Sequence, residues 1–116
     1  MTPGEAFKIV DAGDWARAEA LGAYEGSAVD LADGYIHLST ADQLAGTAAR
    51  HYAGRSGLLL LTVALSQVEA TVVWEPSRGG ALFPHIYGPL PVGAVTARRT
   101  MAVAEDGVIT LGPAET

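Results

Sequence analysis

Two short stretches concentrate the side chains able to do chemistry. The first reads Asp33-Gly34-Tyr35-Ile36-His37-Leu38-Ser39-Thr40. Successive side chains of an extended chain point to opposite faces. Ile36 and Leu38 therefore face a core, while Tyr35, His37 and Ser39 align on the other side. A phenol, an imidazole and a hydroxyl then stand in a row before a capped helix start at Thr40. Free backbone N–H groups at such a start attract a phosphate or carboxylate. A plainer reading also stands, in which Ser39 and Thr40 only cap the helix and His37 is structural. The second stretch reads Phe83-Pro84-His85-Ile86-Tyr87-Gly88-Pro89. Phe83, His85 and Tyr87 share a face, a composition suited to a planar ligand such as a base or nicotinamide. The alternative is an edge strand with one buried, hydrogen-bonded histidine. Glu75, in Trp74-Glu75-Pro76, ends a strand with apolar neighbours. A partly buried carboxyl needs a partner, and a raised pKa would let it act as an acid or base. A solvated strand end, or a turn ion pair with Arg78, also accounts for it.

Burying either polar face would leave groups to be satisfied at about 1–3 kcal/mol each. Opening both onto one cleft avoids that cost. The expectation is a composite pocket with the His37 and His85 rings about two hydrogen-bond lengths apart through a ligand or water. The helix over residues 41–52 should start at its wall with its N-terminus inward. Other chemistries fit less well. His37, His51 and His85 have neither HxH nor HExxH spacing, so no metal site is expected. A serine hydrolase would want a G-x-S-x-G elbow, and Ser39 is only two residues from His37. Gly79-Gly80 lacks the pattern of a phosphate loop.

These residues need elements to hold them. Residues 7–10 read as a strand. Asp11 caps a helix over 12–21, with Trp15, Ala18 and Leu21 at helical spacing and Gly22 as its stop. Residues 22–34 read as a loop with a short turn at 28–31. A strand over 35–39 leads into a Thr40–Gln43 capping box, and Leu44, Ala48 and Tyr52 line one helix face up to Gly54. The apolar run over 58–65 marks a strand buried on both faces. Strands follow at 71–75, 81–87, 93–103 and 108–111. Pro84 assigns the second of these to an edge or a bulge. Helices come early and strands late. The expected class is α+β, with two principal helices and six or seven strands in small mixed or antiparallel sheets.

The chain has 116 residues, a length that suits one domain over 1–116. Its net charge is −6 and its pI about 4.8, without a basic arm or basic amphipathic helix. That disfavours nucleic-acid and membrane-surface partners. There are no cysteines, which excludes disulfides, zinc fingers, iron–sulfur clusters and thiol catalysis. The start MTPGEAFKIV has no signal-peptide pattern, and no apolar run could span a bilayer. The expected location is cytoplasmic. A homodimer, or a place in a larger complex, suits an acidic chain with hydrophobic strands.

Trp15, DGYIHLSTADQL at 33–44, WEP at 74–76 and FPHIYGPL at 83–90 together resemble the bacterial domain-of-unknown-function 952 family. The resemblance covers nearly the whole chain, with Tyr35 where a Phe is commoner. Members are often labelled glutathione S-transferase-like, but the chain is too short for a thioredoxin-like plus a helical domain and lacks a cis-proline pattern. The family is similar to a shortened ADP-ribosyltransferase fold, which implies a cleft between two small sheets for NAD or ADP-ribose. On that resemblance His37 matches the early-strand histidine that contacts the ribose. Tyr87 matches a cleft aromatic, and Glu75 the late-strand glutamate that holds a ribose hydroxyl; if the site is catalytic, Glu75 would stabilise a developing oxocarbenium charge. His37, Glu75 and His85 are then the candidate catalytic residues, with Tyr35, Ser39, Thr40, Phe83 and Tyr87 as ligand contacts. The implied activity is ribosyl transfer on a nucleotide-like small molecule. A non-catalytic interaction or regulatory domain is the alternative.

Overall fold

The computed structural model describes residues 4–115, apart from the side chain of Arg78. The suggested Arg78 ion pair therefore lies outside the described residues. In chain order the elements are β1 (Glu5–Asp11), α1 (Ala12–Leu21), β2 (Ala23–Tyr24), α2 (Ala28–Asp33), β3 (Ile36–His37), α3 (Ala41–His51), β4 (Leu58–Ala64), β5 (Val72–Pro76), β6 (Leu82–Ile86), β7 (Leu90–Pro91), β8 (Val95–Val103) and β9 (Ile109–Leu111). The class is α+β. Every strand pairing is antiparallel, and the described residues hold three α-helices and nine short strands, more of each than the apolar patterning indicates.

The larger sheet runs β1-β4-β8-β9, the smaller β3-β6-β5, and β2 pairs with β7. Strand β4 is buried on both faces, as its unbroken apolar run requires. Leu58 and Leu60 pack with Ile9, Met101, Val103 and Ala48 of α3. Leu61 and Val63 point the other way, into a core with Val10, Trp15, Ile36, Leu38, Ile86 and Leu90. Backbone bonds between Phe7 and Ser39, at 2.7 and 2.9 Å, tie β1 to the chain just after β3. The two sheets are thereby fixed relative to each other beside His37.

Two local expectations change. The supposed loop before residue 34 contains α2, a helix of six residues closed by a reciprocal cap between Ser27 and Asp30 and stopped by Gly34 at φ +88°. Strand β6 is central in its sheet, despite Pro84. The Pro84 carbonyl accepts the Leu38 N–H at 3.0 Å, while the β3 ladder itself ends at the His37–His85 pair. A residue's N and O point to the same side of an antiparallel strand. The donor proline lacks would therefore have faced a position where β3 has already stopped. Among the described residues, no helix is long and apolar enough to cross a membrane.

Candidate functional site

His37 and His85 sit opposite each other in the β3–β6 register. Their ring centroids are 5.4 Å apart, with the planes at 69°. Tyr35 stacks on His85 at 4.1 Å and 26°, and lies 4.7 Å from His37 and 5.3 Å from Tyr87. Strand alternation thus brings the two motifs together, with Ile36 and Ile86 buried behind them.

Each imidazole has a carboxylate on Nδ1. Glu75 Oε1 lies 2.7 Å from His85 Nδ1 and accepts from the Tyr87 hydroxyl at 2.7 Å. The hydrogen bonds from His85 and then Tyr87 hold the Glu75 carboxyl below its ordinary range. The same contact pushes the Tyr87 phenol up to about 12. Glu75 is therefore an ionised acceptor, and the expectation of a raised pKa suited to acid–base work is overturned. Burial, with the Asp33 and Glu75 carboxylates, raises the Tyr35 phenol above its usual value.

On the other side, Asp30 Oδ1 lies 2.6 Å from His37 Nδ1, and His37 Nε2 lies 2.9 Å from Asp33 Oδ2. Asp30 is buried with Lys8, whose Nζ reaches Oδ1 at 3.1 Å and Oδ2 at 2.9 Å. Burial is the largest influence on Asp30 and acts to raise its pKa. The His37 hydrogen bond, the Lys8 charge and the Ser27 N–H outweigh it and hold the carboxyl well below the usual range. Burial pulls Lys8 below its ordinary value, against the opposing charge of Asp30.

The Lys8, Asp30, Asp33, Tyr35, His37 and His85 side chains border a cleft of about 640 Å³, whereas Glu75 and Tyr87 lie outside its lining. Lys8, Ser27, Asp30, Asp33, Tyr35, His37, Ser39, Phe83 and His85 are among its lining, with Thr47, Arg50, His51, Tyr52 and Arg55 from α3 and the turn that follows and Asp14 from α1. Ser39 is buried, its hydroxyl 2.9 Å from that of Thr47. Thr40 is outside the lining and accepts the Gln43 N–H at 3.3 Å, while Gln43 Oε1 accepts the Thr40 N–H at 3.0 Å. The expectation of an inward helix N-terminus is thus corrected. The capping box occupies donors at the start of α3, Gln43 Nε2 is bonded to the Leu82 carbonyl at 2.7 Å, and the cleft meets the C-terminal half.

Lys8, Asp30, Arg50 and Arg55 did not stand out in the sequence, and Asp33 only as the first residue of the stretch over 33–40. Two signals were available for the first pair. Lys8 interrupts the apolar face of Ala6 and Val10, and Ser27-x-x-Asp30 is a capping signature. Among the described residues, no cluster of three or more His, Asp or Glu is placed to hold a metal.

The family model for proteins of unknown function designated DUF952 matches residues 9–98. The crystal structure of protein CC0527 from Caulobacter crescentus is similar at 45% identity and a TM-score of 0.86, covering 91% of this chain and 93% of that one. The solution NMR structure of the same protein gives 45% identity and a TM-score of 0.79, with 91% of each chain covered. No curated protein matches the sequence. The family match spans most of the residues that build both sheets and the cleft, and by that measure the chain belongs to the DUF952 family.

Proposed function

We propose that the cleft takes a nucleotide-type ligand of the ADP-ribose or NAD class, in an ADP-ribosyltransferase-like arrangement, and that its chemistry is transfer at a ribosyl centre in the cytoplasm. The observation that carries this reading is the clustering of Tyr35, His37 and His85 in the wall of a 640 Å³ cleft, with Glu75 of β5 and Tyr87 hydrogen-bonded to one another next to His85 but outside the lining. Rings offer a stacking surface for a planar base. Arg50 and Arg55 line the same cleft and suit phosphate oxygens. Glu75, kept ionised, suits an oxocarbenium-like charge developing at a ribose carbon. In this role His37 and Ser39 position ribose or phosphate, and Phe83 packs behind the ligand.

The test is calorimetry and thermal shift with NAD, ADP-ribose and free nucleotides. Saturable binding of ADP-ribose that is lost in Tyr35→Ala is the expected result. No response to any of them at millimolar ligand removes the proposal. A second reading, a non-catalytic domain that pairs with another copy, is favoured by exposed Val29 and Leu31 on α2 beside the cleft. Its measure is mass by light scattering, where a dimer disrupted by Leu31→Asp supports it and a monomer at all concentrations removes it.

A further inference from the structure

We infer that the buried Lys8–Asp30 pair is a positioning device for His37: Asp30 takes the Nδ1 hydrogen bond, so that Nε2 is the ring atom presented to a ligand. One carboxylate grips both the chain and the ring of the same residue. Asp30 Oδ1 lies 3.2 Å from the His37 backbone nitrogen and 2.6 Å from Nδ1. Its second oxygen accepts the Ser27 N–H at 2.9 Å, and Lys8 Nζ lies within 3.1 Å of both. A carboxylate so occupied has no alternative rotamer that keeps its partners. An ionised carboxylate only accepts hydrogen bonds, so Nδ1 must donate. The orientation of the ring then turns Nε2 toward Asp33, whose side chain lines the cleft.

Two further observations support a dedicated arrangement. Lys8 and Asp30 are 5% and 2% exposed, Lys8 on the β1 face shared with Ala6 and Val10 and Asp30 on α2. Apolar residues of similar volume would avoid the desolvation of two charges there. Gly26, at φ +122°, lets the chain pass so close that a Cβ would lie 2.8 Å from the Asp30 Cβ. Meanwhile Asp33 is half exposed at the cleft wall, with Oδ2 2.9 Å from His37 Nε2. That oxygen marks where a ribose hydroxyl of the ligand, donating to the Nε2 lone pair, would sit after Asp33 turns outward.

The purpose of the device rests on the proposed ligand cleft, whereas the hydrogen-bond assignment does not. Long-range proton–nitrogen NMR spectra of the histidine rings in the full chain read it directly at mildly alkaline pH. In the wild-type protein His37 Nδ1 is expected to carry a proton, and an unprotonated Nδ1 overturns the inference without any variant. In Asp30→Asn the new amide can donate to Nδ1, and the proton should move to Nε2. A folded Asp30→Asn chain that keeps its Nδ1 proton also overturns it. Asp33→Asn should leave Nδ1 protonated, and its loss there would count against Asp30 as the controlling group. ADP-ribose affinity in Asp30→Asn should fall by about tenfold, the lower end of the loss seen when the group orienting a metal-bound histidine is removed. Unchanged affinity with a switched tautomer would remove the presenting role. If ADP-ribose fails to bind the wild-type protein, the functional proposal fails, while the ring spectra still decide the positioning.

Discussion

At the scale of single residues, charge burial dominates what can be predicted. Removing one member of the Lys8–Asp30 pair leaves the other buried without its counter-charge, at about 3–5 kcal/mol. Lys8→Met and Asp30→Leu should each show that loss in urea denaturation. The double variant should lose less than the sum, because no charge is left stranded. Additive losses would mean that the two side chains are not coupled. Glu75 makes a different prediction, since it is exposed enough that its charge matters more than its packing. Glu75→Gln removes the anion that holds the Tyr87 phenol near 12, and the Tyr87 titration should move down toward the ordinary value of 10.0. An unchanged midpoint by phenolate absorbance would show that the Tyr87–Glu75 bond does not persist in solution. The sign of the acid response follows from both carboxylates. Their folded pKa values lie below the unfolded references of 3.8 for Asp30 and 4.5 for Glu75. The unfolded chain therefore binds protons first as pH falls through that range. Stability present at neutral pH is lost on the acid side, and Glu75→Gln should lose less of it.

At the scale of elements, caps and turns decided what could be read from the sequence. The two long helices were legible because each begins with a side-chain cap and carries apolar residues at helical spacing. Thr40→Ala should cost about 1 kcal/mol, the usual worth of such a cap. ADP-ribose affinity should be unchanged by it, because the cleft meets α3 at its other half. A loss of affinity at unchanged fold would return the helix start to the site. Helix α2 escaped notice because six residues give too few turns for periodicity, and Val29 and Leu31 face solvent. Only Ser27-x-x-Asp30 marked it. The same omission hid the buried carboxylate behind His37, since Asp30 reaches the site from α2. Pro84 misled in the other direction. Its missing donor matters only where a neighbouring strand continues, and β3 is two residues long. The juxtaposition of His37 and His85 was legible because it needs only period-two alternation in two strands. The contribution of Arg50 and Arg55 depends on how α3 crosses the larger sheet, which no local pattern specifies. Gly26→Ala tests the tightest of these turns. Positive φ and the contact with Asp30 should together cost more than about 1 kcal/mol by thermal or urea unfolding. A neutral result would show that α2 can shift without strain.

At the scale of the whole molecule, the net charge of −6 opposes any phosphate-bearing ligand, and magnitudes decide whether that matters. The molecule extends 36 Å, and at half that distance a unit charge pair in water interacts by only about 0.2 kcal/mol. A dianionic ligand then meets about 3 kcal/mol of repulsion without salt. At about 0.1 M salt the Debye length is near 10 Å, and the repulsion drops to about 0.5 kcal/mol. A guanidinium in contact with phosphate gains about 1 kcal/mol in water and about 4 kcal/mol at a partly desolvated wall. Local attraction by Arg50 and Arg55, which line the cleft, therefore outweighs the global field at physiological ionic strength. The paired variant Arg50→Gln with Arg55→Gln should weaken ADP-ribose binding by at least about tenfold, the worth of a single lost contact of this kind. Adenosine, which lacks the phosphates, should bind as before. Thr96→Asp with Thr110→Asp changes net charge by the same amount at exposed positions outside the cleft lining. Its effect on ADP-ribose affinity should stay within about twofold, since only screened repulsion is altered. Calorimetry on the three proteins separates the terms. Equal weakening by both pairs would make the global field the cause, and an unaffected arginine variant would place the phosphates away from α3.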